Sequence, residues 1–169
     1  MTAVASTPTA LLDTQQLSLL MQYTIEAYKI FQKFAENLPN PMSAAMFKDF
    51  AVDERLDRDL LEAKISSVGS RVRTALGADL QFQEVLEGDL SYRESAEFLI
   101  ARERTMQRRL EELSRNAADA DHNLLIFFIA VKRSHIVELE RELALIRNDP
   151  EWWRREDAET RIVHGSAGR

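Results

Sequence analysis

Apolar residues recur at every third and fourth position through four stretches of the chain, and each stretch breaks its stripe with polar residues near the middle. The first runs Leu17, Leu20, Thr24, Ala27, Phe31, Phe34, Leu38, and the second Phe47, Phe50, Glu54, Asp57, Leu61. The third runs Ala96, Leu99, Glu103, Met106, Leu110, Leu113. The fourth reads Leu125, Phe128, Lys132, His135, Leu139, then Leu143 or Ile146. This period predicts four amphipathic helices. Burying a charge is costly unless it is paired, hydrogen-bonded or metal-bound, so interruptions at mid-length in all four stripes point to one shared polar site.

The ends of the helices are written in the sequence. Asp13 can cap the first, with Gln16 in the reciprocal position and Leu12 placed to staple onto Leu17. That helix should end near Leu38, before Pro39. Asn40 followed by Pro41 supplies a cap and a first-turn proline for the second, which runs to about Ser67 before Gly69. Ser91 with Glu94 is a capping-box pattern for the third, extending to about Asn116. Asp119 or Asp121 opens the fourth, which ends at Asn148, Asp149 and Pro150.

Each predicted helix is about 25 residues and hence about 37 Å long. The first and last connections are short enough only for antiparallel neighbours. The middle connection, residues 68 to 90, is long enough at about 3.3 Å per residue to run the length of a bundle, so that the third helix lies parallel to the second. Residues 79 to 86 are expected to form a short helix there, presenting Leu80, Phe82, Val85 and Leu86 to the bundle. The expected organisation is one helical domain over 13–148, a flexible stretch at 1–12 and a partly disordered tail at 149–169, with Trp152 and Trp153 folding back on the core.

Composition narrows the chemistry. In 169 residues there are five glycines, four prolines and no cysteine, with 45% hydrophobic content. An all-α domain follows, without disulfides, iron–sulfur ligation or thiol nucleophiles, and any metal must be held by oxygen and imidazole. A net charge of −6 argues against nucleic acid as a partner. The arginines 102, 104, 108 and 109 alternate with Glu111 and Glu112 and read as a solvated helix face. With no apolar run of membrane-spanning length and no secretory pattern at the start, a cytoplasmic protein without membrane contact is expected. Neither a Gly-rich phosphate loop nor a nucleophile elbow is present, and no catalytic residue is assigned.

Counted from the helix starts, Thr24, Glu54, Glu103 and Lys132 all fall at mid-height. Four helices converging carboxylates and a histidine there, with a long middle crossover, resemble the ferritin-like superfamily and its rubrerythrin-type members. Phe31 with Phe34-Ala35, and Phe47-x-x-x-Ala51-x-x-Glu54, are similar to the aromatic and alanine positions around that family's ligands. In the family, the first helix gives a Glu, the second a Glu-x-x-His, the third a Glu and the fourth a Glu-x-x-His, which together hold two metal ions. The resemblance matches Glu54, Glu103 and His135 to three of those positions. It departs at the other three, where Thr24, Asp57 and Lys132 stand. Glu26 is two residues from Thr24 and so points away from the seam.

The departures imply an altered site. A lysine where a ligating glutamate belongs repels metal and attracts Glu54 and Glu103, so its ammonium can replace a cation in a buried cluster. The resulting expectation is a ferritin-like protein that has lost its di-iron site and serves as an accessory or partner-binding factor, possible as a homodimer. A second reading keeps one divalent ion, Fe, Mn or Zn, on Glu54, Asp57, Glu103 and His135, for iron handling or redox chemistry. A third takes the polar positions simply as devices that fix helix register.

Overall fold

The computed structural model of the protein describes residues 11–69 and 91–151. They form four helices: α1 over Thr14–Asn37, α2 over Pro41–Ser67, α3 over Tyr92–Ser114 and α4 over Asp119–Asn148. No strand occurs among the described residues. The expected short helix at residues 79 to 86, the crossover path, Trp152 and Trp153 lie outside them, as do most of the two terminal segments.

Local chemistry sets most boundaries. Asp13 and Gln16 form a reciprocal capping box on α1, and Ser91 and Glu94 form another on α3. The Asn40 side chain accepts from the N–H groups of Met42 and Ser43, with Pro41 opening α2. Gly69 adopts a φ of 70°, a conformation that ends α2 cheaply only for glycine. Helix α3 stops at Ser114, two residues short of the sequence expectation, and α4 begins at Asp119, one of the two expected starts, after Ala118 and with no side-chain cap. Asp121 is spent elsewhere: it accepts the Leu12 N–H at 2.8 Å and pairs with Lys64. Leu12, at the edge of the stretch expected to be flexible, is buried.

The polar contacts at the helix ends give each helix its direction. At one end, Asp121 of α4 joins the start of α1 to the end of α2. At the other, Glu142 of α4 accepts from Ser43 of α2 and Tyr92 of α3, and the Tyr92 ring lies 6.4 Å from that of Phe47. The starts of α2 and α3 therefore meet at the same end. Helix α1 packs mainly on α2, and α3 on α4.

An apolar core fills the space between them, from Leu17 and Leu20 through Ile30, Phe47, Leu61, Leu99 and Leu110 to Leu125 and Leu139. Phe31, Phe34, Phe47 and Phe50 form a ring cluster, with Phe34 stacked on Phe47 at 4.9 Å and Phe31 edge-on to Phe50 at 5.4 Å. Such pairs contribute about 0.5–1.5 kcal/mol each beyond their burial. They also form one wall of the polar centre.

Candidate functional site

Midway along the bundle the apolar core gives way to ionisable groups. Glu54 and Asp57 enter from α2, Glu103 from α3, and Lys132 and His135 from α4, and all five are buried. Residues three apart on a helix share a face, which is how α2 and α4 each deliver two groups to one level. Lys132 donates to Glu54, and its Nζ also lies 3.7 Å from Asp57 and 3.9 Å from Glu103. The ammonium thus stands among three carboxylates.

His135 completes the arrangement. Its Nδ1 lies 3.1 Å from Glu103 and its Nε2 3.2 Å from Asp53, so each ring nitrogen faces a carboxylate. The ring packs against Phe50 at 4.1 Å and Phe31 at 5.5 Å. Tyr23 of α1 donates its hydroxyl to Glu103, and the Lys132 ammonium sits 5.2 Å from the Tyr23 ring centre.

Burial and charge compete at each group. Burial pushes Glu54 up to about 7 against the downward pull of Lys132, and Asp57 up to about 6 in the same way. Burial also acts on Glu103, but Lys132 and the bonds from His135 and Tyr23 outweigh it and hold that carboxyl below its usual range. For Lys132 and His135, burial disfavours the cation, yet the surrounding carboxylates prevail and raise both. Three buried carboxylates therefore face one ammonium and a histidine whose protonated form they favour. With its carboxyl pushed up to about 7, Glu54 is partly protonated near neutrality. The orphaned oxygens are on the two raised carboxyls: Glu54 Oε2 and both oxygens of Asp57 are buried without a hydrogen-bond donor.

The fit to a metal follows from this geometry. Glu54, Glu103 and His135 bring donor atoms within 4.8 Å of one another. Asp57 lies outside that group and faces the ammonium instead. Three donors are too few for two ions, so the residues do not fit a di-metal centre. One ion could use them only if Lys132 left Glu54 and His135 presented an unprotonated ring nitrogen, because an imidazolium has no lone pair to donate.

Thr24 takes no part in the cluster. Its hydroxyl bonds the Met21 carbonyl of its own helix at 2.9 Å, a local bond open to any helical threonine. Two residues that the stripe pattern missed do take part, namely Tyr23 and Asp53. Tyr23 follows Leu20 at the i+3 position, a row beside the one traced through Thr24, and that placement was readable. Asp53 sits half-exposed at the edge of α2, and nothing in the sequence separates it from other surface acids.

No protein-family model matches the chain, and neither does any curated protein or solved structure.

Proposed function

We propose that the chain is a ferritin-like bundle whose central site is closed by a lysine in place of metal, and that it works by binding a protein partner. One observation carries the first half: the Lys132 ammonium is bonded to Glu54 and faces Asp57 and Glu103 where a divalent cation would sit. The shared end of α2 and α3 supports the ferritin-like topology. Helix α2 ends near Gly69 at the end of the bundle opposite to Ser91, where α3 begins.

The second half rests on the surface. Val52, Leu56 and Leu60 repeat along the outer face of α2, and Ile126, Phe127 and Val137 are exposed on the neighbouring α4. Adjacent helices offering large apolar side chains to solvent suit a protein–protein contact, with a second copy or another chain. None of the large exposed apolar residues lies on α1 or α3 among the described residues.

The alternative, a single Fe, Mn or Zn ion, is favoured by the three converging donors and the orphaned oxygens of Glu54 and Asp57. Elemental analysis of protein purified without an affinity-metal column separates the two readings. The lysine-closed site gives less than a tenth of an equivalent of any of the three metals, on the order expected for trace carry-over. Near-stoichiometric metal that disappears in His135→Ala supports the alternative. Among the described residues no helix is long and apolar enough to cross a membrane.

A further inference from the structure

The run of arginines on α3 divides in two. Arg104 points toward α4 and bonds Glu140. Arg102, Arg108 and Arg109 turn the other way, toward α1, and line a cleft of about 440 Å³. Arg104, Arg108 and Arg109 are exposed, in keeping with a solvated face, and Arg102 is half-buried.

We propose that this cleft between α1 and α3 binds a small organic oxyanion, a flat apolar body carrying a phosphate or a carboxylate. Its floor is Tyr23 and Met106, both buried. An aromatic side chain and a thioether there give the cleft an apolar base. Its rim carries the three guanidinium groups and Thr105, with Glu112 the one acid among the lining residues. In a chain of net charge −6, this is a locally basic spot.

Among the exposed arginines outside the cleft, Arg93 meets Glu97, Arg133 meets Glu111 and Arg141 meets Glu138, while Arg55, Arg115 and Arg147 form no ion pair among the described residues. Arg108 instead contacts the Thr105 hydroxyl at 3.4 Å, and among the described residues Arg109 forms no ion pair. Guanidinium groups such as those of Arg108 and Arg109, lining one concavity, suit phosphate and carboxylate oxygens. The volume falls within the range of about 300–1,000 Å³ typical of small-ligand sites. A concave site with a buried aromatic floor suits a small molecule better than the flat face of a protein.

Tyr23 connects this site to the charge cluster, since the residue that floors the cleft also donates to Glu103. The site stands independently of the partner-binding reading, because it uses the α1–α3 face and not the apolar faces of α2 and α4.

The test titrates the full chain at low salt with phenyl phosphate, benzoate and inorganic phosphate, followed by calorimetry and amide NMR shifts. At least one aryl probe saturates at one site per chain, at least about tenfold more tightly than inorganic phosphate. Phenyl phosphate ahead of benzoate assigns a phosphate ligand, and the reverse order a carboxylate. Arg109→Ala weakens binding about tenfold or more, whereas Arg104→Ala, an equal loss of charge outside the cleft, changes it less than about twofold. The proposal is overturned if neither aryl probe saturates, if inorganic phosphate binds as well as both, or if the two arginine variants lose affinity equally.

Discussion

Lys132 donates to Glu54 across the middle of the bundle, with both side chains withdrawn from solvent and each carried by a different helix. The pair holds α4 to α2 at the level where the apolar core is interrupted. Removing one partner strands the other. Lys132→Ala is expected to cost about 3–5 kcal/mol in urea unfolding, because Glu54 and Asp57 lose their nearest cation and Glu103 keeps only His135. The double variant Lys132→Met with Glu54→Leu should cost clearly less than the sum of its single changes, since an apolar pair of similar size leaves fewer stranded charges.

The same cluster gives stability an unusual pH dependence. The folded protein holds the Glu54 and Asp57 protons up to about 7 and about 6, while the unfolded chain releases them near ordinary carboxylate values of about 4. The native state binds more protons across that interval, so stability falls as pH rises through it. His135, raised in the folded state, acts in the same direction above about 6.5, where the unfolded chain loses its imidazolium. Glu103 acts oppositely, and its contribution is lost only as pH falls below about 4. The denaturant midpoint should therefore be higher at pH 5 than at pH 8, with Asp57→Asn flattening the slope. A midpoint that climbs over this range contradicts the assignment.

Tyr23 is the only described aromatic hydroxyl that reaches the cluster, and its phenol is held neutral well above its usual range by burial and by the nearby Glu103 and Glu54. Tyr23→Phe keeps the ring and removes the donor. Loss of about 1–3 kcal/mol is expected, with Glu103 left short of a bond, and a change within error in chemical denaturation would remove Tyr23 from the cluster.

A smaller device closes the other end of the bundle. Asp121 accepts the Leu12 N–H and pairs with Lys64, so one buried carboxylate ties the chain before α1 to α2 and α4. Asp121→Ala should cost about 2–3 kcal/mol and accelerate hydrogen exchange at Leu12 and the first turn of α1 more than in α3.

How much of this was readable beforehand depends on the kind of interaction. Capping boxes at Asp13–Gln16 and Ser91–Glu94 were legible because they are local, and a four-residue window contains the whole of each. Convergence of Glu54, Asp57, Glu103, Lys132 and His135 was legible because helical period and mid-height position fix a level without any knowledge of packing. What each group does at that level was not. Thr24 lies on the seam but satisfies itself on its own backbone, and Asp53 lies off the seam but reaches His135, since side-chain length and rotamer decide such contacts. Asp121, one of two residues expected to open α4, serves residues 57 and 109 positions away, a choice that tertiary contacts alone could make. The arginines of α3 divide between two faces for the same reason.

The most direct measurement is the thermal melt of the wild type and Lys132→Met, each in chelator and then with added zinc, manganese or ferrous iron. If the ammonium holds the site, the wild type melts at one temperature in all conditions, and Lys132→Met melts lower in chelator and recovers with metal through Glu54, Glu103 and His135. A wild type that gains several degrees with stoichiometric metal, and loses that gain in His135→Ala, would show that the lysine yields to a cation and that the centre is a metal site.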